Sequence, residues 1–134
     1  MTNLITRNQE KLFKSIFSAN ESLWLIGSRA SKTFHVKSDW DFLVFGNNET
    51  IKRLEIFQPL NRIDLLVVYD GNNFRTVWLP PDGKGHKSGS LTDWLWQNSE
   101  MNETKYYSSK HRAFVPALKI SSYELLISLF NNEI

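Results

Sequence analysis

Two aspartates flank a single residue at the head of an apolar run, Asp39-Trp40-Asp41-Phe42-Leu43-Val44-Phe45. In a strand, residues two apart point the same way. Asp39 and Asp41 would share one face, roughly 7 Å apart along the backbone, with Trp40 and Phe42 turned into a core on the other. Carboxylates held that close repel and shift one another's pKa unless a cation lies between them. A hard divalent ion with oxygen ligands, Mg²⁺ above all, relieves the repulsion. Upstream, the apolar run Leu23–Ile26 ends at Gly27-Ser28. A glycine lets the backbone approach a ligand. Ser28 offers a hydroxyl, and N–H groups that open a helix can face an anion. Cation and anion cradle together are what a bound phosphate group requires.

The elements that must position these groups can be read on either side. Residues 4–19 carry Leu4, Ile5, Leu12, Phe13, Ile16 and Phe17 at helical spacing, with Asn20 as the stop. Glu21–Ile26 reads as a first strand, Arg29–Lys32 as the start of a short helix and Trp40–Phe45 as a second strand. Arg29 suits a nucleotide phosphate or a salt bridge. His35 is expected in solvent, and Ser38 shapes the turn into the second strand. Gly46-Asn47-Asn48 signals a turn, and Asn48 caps a helix over Thr50–Phe57 that buries Ile51, Leu54 and Ile56 and stops at Pro59. Arg62–Tyr69 is a third strand, rich in β-branched residues. Asp64 lies within it, where an unpaired buried carboxylate would be costly. It either pairs with Arg62 or another cation, or stands beside Asp39 and Asp41 as a metal ligand and general base.

Further on, Asp70–Asn73 is a turn and Phe74–Leu79 an edge strand. The Gly-rich stretch 80–90 carries Lys84, His86 and Lys87; it folds over phosphates or is a mobile surface loop. Leu91–Gln97 reads as a helix capped by Ser90 or Thr92. Trp94 and Trp96 fall on different faces of it, so one is expected at the surface or against a partner. Asn98–Lys110 is polar around Tyr106-Tyr107, and Ala113–Ile120 is apolar around Pro116. Ser121–Phe130 is a final helix with Leu125, Leu126, Leu129 and Phe130 as its apolar stripe.

Composition narrows the class. The chain has 134 residues, a size that fits one domain, and 41% hydrophobic residues are enough for a core. A net charge of +2 with well-mixed signs gives no bulk electrostatic case for nucleic acid. The absence of cysteine excludes disulfides and thiolate metal sites. No stretch approaches a membrane span, and the N-terminal residues lack the apolar core of a signal peptide, so a cytoplasmic protein is expected.

Gly27-Ser28, ten residues, then Asp39-Trp40-Asp41 resembles the GS-X10-DXD motif of the DNA polymerase β-like nucleotidyltransferase superfamily. The likeness is greatest to its minimal MNT-type members, often found as antitoxins paired with HEPN toxins, and runs from about Leu23 to Val68. Such proteins often carry Arg-Gly after the Gly-Ser-Arg-Ala run; Ser31-Lys32 stand here instead. The resemblance implies an α/β (α+β) fold, a mixed sheet with packed helices, as one minimal nucleotidyltransferase domain over 1–134. It implies Asp39, Asp41 and Asp64 as catalytic metal ligands, and Gly27, Ser28 and Arg29 as nucleotide-binding. Mg²⁺ or Mn²⁺ would be the cofactor and an NTP, ATP foremost, the substrate. The acceptor expected is a hydroxyl on a partner protein such as a cognate toxin, because MNT antitoxins are thought to attach AMP to their toxin. The alternatives are a catalytically inert binding module of the same fold, touching its partner through Trp94 or Trp96, and a transferase acting on a small molecule or RNA.

Overall fold

A computed structural model describes residues 6–33, 35, 38–57, 62–78, 87–98 and 101–131. The chain runs α1 (Arg7–Ser18), β1 (Ser22–Ile26), α2 (Gly27–Ser31), β2 (Trp40–Phe45), α3 (Asn48–Leu54), β3 (Ile63–Val68), β4 (Asn73–Thr76), β5 (Ser88–Ser90), β6 (Glu103–Ser108), β7 (Ala113–Ile120) and α4 (Tyr123–Asn131). The strands form a mixed seven-stranded sheet in the order β5-β4-β3-β2-β1-β7-β6. β2 and β3 pair in parallel, across the connection that holds α3, and the other neighbours pair antiparallel. The expected α+β architecture is therefore the observed one.

Strand alternation sorts the side chains into two layers. Leu23 and Leu25 of β1, Phe42 and Val44 of β2, and Leu65 and Val67 of β3 face the helices. There they meet Leu12, Phe13 and Ile16 of α1, Ile51 and Leu54 of α3, and Leu126 and Phe130 of α4. Trp40 joins this layer edge-on to Phe130, with ring centroids 4.6 Å apart. The opposite face carries Trp24, Ile26, Leu43, Leu66 and Val68, covered by Leu91, Trp94, Trp96 and Tyr106. The second residue of β2 and of β3 is an aspartate, and the same alternation turns both toward this second face.

Local chemistry sets the helix ends. In α1, Thr6 Oγ1 accepts from the Gln9 N–H while Gln9 Oε1 accepts from the Thr6 N–H, a reciprocal capping box. Asn20 follows in the left-handed region at φ 57°, in keeping with the expected stop. Asn47, one residue earlier than expected, caps α3 by accepting from the N–H groups of Glu49 and Thr50. This helix ends at Leu54, so Ile56, expected inside, is 77% exposed. In α4, Leu126 and Phe130 are buried and Leu129 packs against the core, whereas Leu125 faces outward. Leu4, Ile5, Pro59, Leu79 and most of the Gly-rich stretch, with Lys84 and His86, lie outside the described residues.

The expected helix over Leu91–Gln97 is a set of turns. Leu95 sits at φ 53°, a left-handed conformation that no right-handed helix accommodates. A seven-residue amphipathic run has too little cooperativity to resist the packing of its aromatics. Both tryptophans consequently turn inward: Trp96 meets Trp24 edge-on at 5.3 Å, and Trp94 stacks on Tyr106 at 5.1 Å. Leu95, not a tryptophan, is the exposed large side chain here. Pro116 stands inside β7, in the stretch that pairs with β6 but extends past the β1 pairing. A residue without an N–H is tolerated where the ladder has only one side.

Candidate active site

Asp41 and Asp64 occupy the same register position on the parallel strands β2 and β3. Adjacent strands lie about 4.8 Å apart, and residues in register share a face. The sequence expectation that Asp64 stands beside Asp41 is thus met by backbone pairing. Asp39 lies just before β2 and is exposed; its charge still reaches both Asp41 and Lys87. Among the described residues no group of three or more His, Asp or Glu side chains is gathered closely enough to hold a metal ion. The structure unites two of the three expected acids and leaves the third at the rim.

Burial pushes the Asp41 carboxyl up from 3.8 to about 6, with Asp64 and Asp39 adding to the rise and Lys87 opposing it. The other strand neighbour of Asp41 is Ile26, immediately before Gly27. Gly27 has φ 73°, and a Cβ built there would come 2.4 Å from Asp41 Oδ2. The residue must be glycine on both counts, conformation and space. Its N–H donates to the Tyr106 hydroxyl at 3.0 Å. Burial and the charge of Asp41 raise the Tyr106 pKa, against the lowering effect of that Gly27 bond.

Lys87 closes the group. Its ammonium lies 2.6 Å from Asp64 Oδ2. Burial disfavours that charge, but the bond to Asp64 and the fields of Asp64, Asp41 and Asp39 outweigh it and raise the Lys87 pKa. Asp64 is therefore paired with a lysine from the Gly-rich stretch, not with Arg62. Gly27, Asp41, Asp64, Lys87, Trp94 and Tyr106 line a cavity of about 120 Å³. That is space for a few water molecules or one phosphate group. A larger groove of about 640 Å³ runs past Met101 and Phe114 without touching Asp41 or Asp64.

Arg29 takes a different place from the one expected. Its side chain is 4% exposed, with the guanidinium 4.5 Å from the Trp40 ring, on the helix-covered side of β2. It donates to the Ser38 carbonyl at 3.0 Å, and Arg62 donates to the same oxygen at 3.2 Å. Two guanidinium groups thus hold the backbone one residue before Asp39. Ser28 is half-buried in the first turn of α2, and its carbonyl accepts from Thr33 N–H and Ser31 Oγ. Lys32 ends α2 at φ 61°. A left-handed residue at a helix end is the conformation that glycine adopts without strain. His35 is exposed, and its N–H donates to Ser38 Oγ.

In the sequence, Lys87 reads only as part of a basic loop and Tyr106 only as part of a polar stretch. No local signal singles out Lys87, because Asp64 lies 23 residues earlier with another strand between them. Nothing near Tyr106 in the sequence links it to Gly27, 79 residues away.

Two carboxylates in register on parallel strands, beside a glycine turn at a small cavity, make up the candidate site of this α+β fold. Over residues 6–126 the chain matches the nucleotidyltransferase domain family, and it belongs to that family. Transfer of a nucleoside monophosphate from an NTP, generally with a divalent metal, is the activity of the family. No curated protein and no solved structure shows significant similarity to the chain. Among the described residues no helix is long and apolar enough to cross a membrane.

Proposed function

We propose that the chain is a Mg²⁺-dependent transferase, of the minimal MNT type, that moves AMP from ATP to a hydroxyl on a partner protein. The observation that carries the transferase reading is the register of Asp41 with Asp64 opposite Gly27. The residues fit a hard cation: the donors are carboxylate oxygens, and the chain already brings one cation, the Lys87 ammonium, against Asp64. Asp41 and Asp64, with Asp39 from the rim, would hold the metal, which supplies charge neutralisation for the triphosphate and for the leaving pyrophosphate.

The roles of the chain's own groups follow from their places. The Gly27 turn, with the Ser28 hydroxyl, receives the phosphates. Asp64 takes the proton of the acceptor hydroxyl, whose oxygen forms a bond to the α-phosphorus as the bond to pyrophosphate breaks. Asp41, held in a drier environment, would hold the metal on the α-phosphate side. Arg29 and Arg62 act through the Ser38 carbonyl by holding Asp39 in place. The partner-protein acceptor is supported by a small cavity beside an exposed acid, which suits a hydroxyl presented from outside. An inert binding module of the same fold would have to meet its partner elsewhere than at Trp94 and Trp96, which are packed against the sheet.

Incubation with labelled ATP, Mg²⁺ and host lysate, followed by intact-mass spectrometry of labelled proteins, tests both parts. A gain matching one or more AMP groups on a protein is expected. Label found only on RNA or on a metabolite would remove the protein acceptor and keep nucleotidyl transfer. No label on any molecule would remove both.

A further inference from the structure

Lys87 is anchored by its main chain and loose at its tip. Its N–H donates to Thr76 Oγ1 at 2.9 Å, and its carbonyl accepts from the Thr76 N–H at 2.8 Å. These bonds tie it to the end of β4, one position before β5 begins. The side chain is 57% exposed and reaches across to Asp64, whose own side chain is 24% exposed. A lysine tip is a compact point charge on a flexible stem. It can leave a carboxylate without any movement of the backbone that carries it. The oxygens of Asp64 cannot serve this ammonium and a divalent cation in the same place, because the two positive charges would repel at contact distance.

We propose that Lys87 is the resident counter-ion of the Asp41–Asp64 pair, that its ammonium leaves Asp64 when a divalent cation binds there, and that the freed ammonium then contacts the phosphates of the nucleotide. This rests on the transferase reading of the same cavity. It gives Lys87 two opposing effects: it weakens binding of the metal alone and strengthens binding of the nucleotide. A lysine that merely braced the fold would produce neither sign selectively.

The test is Mn²⁺ binding, followed by electron paramagnetic resonance of the free ion, to the unsubstituted protein, Lys87→Met and Lys87→Gln. Without nucleotide, both variants are expected to bind Mn²⁺ about fivefold more tightly, the upper end for a largely exposed ion pair. With Mn²⁺ saturating, both are expected to bind a non-hydrolysable ATP analogue more weakly, by a similar factor of about five. Thermal melts confirm that the variants are folded. If neither variant gains Mn²⁺ affinity while Asp41→Asn loses it, the counter-ion role is overturned and the transferase reading stands. If analogue binding is unchanged, the contact with phosphates is overturned. If no protein in the series binds Mn²⁺ saturably, with or without the analogue, both the inference and the reading beneath it fall.

Discussion

Asp41 is held in an environment that disfavours its charge. Burial is the main cause, and the neighbouring acids add to it. An acid with a raised pKa in the fold binds its proton more tightly there than in the unfolded chain. Between about pH 4 and pH 6 the native state therefore holds more protons, and stability falls as pH rises through that window. Above it the penalty is fully present. Asp41→Asn should stabilise the protein at pH 7 by about 2 kcal/mol and bring no such gain near pH 4. Urea denaturation at the two pH values measures this, and an equal effect at both would count against the strained carboxylate. Transfer activity should vanish in the same variant, because a neutral amide is a poor ligand for Mg²⁺. A more stable and inactive protein is what a functional site built at the expense of stability predicts.

At the scale of elements, the approach to β2 is fixed from behind. Arg29 in α2 lies on Trp40 at the start of β2 and shares the Ser38 carbonyl with Arg62, just before β3. The Trp40 N–H in turn donates to the Arg62 carbonyl at 2.7 Å. Three elements thus meet at the backbone that presents Asp39. Arg29→Lys keeps the charge but loses the planar stack and the fork of donors. It should cost about 2 kcal/mol of stability, the sum of a buried cation–π contact and a charge-assisted hydrogen bond at their modest values. At a temperature where the variant is folded, KM for the nucleotide should be unchanged and kcat reduced. A raised KM with full stability would return Arg29 to the phosphate contact expected of it. A second junction ties the helix layer together. Glu21, next to β1, accepts from Thr50 Oγ1 at 2.6 Å and pairs with Arg53, both in α3, while Arg53 Nε donates to Ser15 Oγ in α1.

For the whole molecule, the acid pair couples ligand binding to folding. Crowded carboxylates destabilise the free protein, and a ligand that binds only the native state stabilises it by mass action. Mn²⁺ together with a non-hydrolysable ATP analogue, each at about 100 times its Kd, should add about 2.7 kcal/mol or more and raise the Tm by several degrees. Asp64→Asn should abolish most of that shift while remaining folded. Differential scanning fluorimetry reads both, and a Tm indifferent to the ligands in the unsubstituted protein would sink the site.

Neighbours along the chain are enough to say which side chains share a face. Side chains alternate along any strand, and that local rule puts Trp40 and Phe42 on one face of β2 and Asp41 on the other. The sequence also placed the Gly27 turn, the body of α1 and the family likeness carried by Gly27-Ser28 and Asp39-Trp40-Asp41. Tertiary structure decided which groups meet across that face. Only sheet order and register could set Asp41 opposite Asp64, bring Lys87 from the far edge of the sheet and lay Tyr106 against Gly27. It also overruled local pattern where packing outweighed propensity. The aromatics of 91–97 gained more by covering the sheet than by forming a short helix. Arg29 lies on the Trp40 ring and donates to the Ser38 carbonyl, contacts that form only when α2 packs against the start of β2. Alternation is dictated by neighbours in the chain, whereas these contacts join residues from different elements, whose pairing exists only once the strands have assembled.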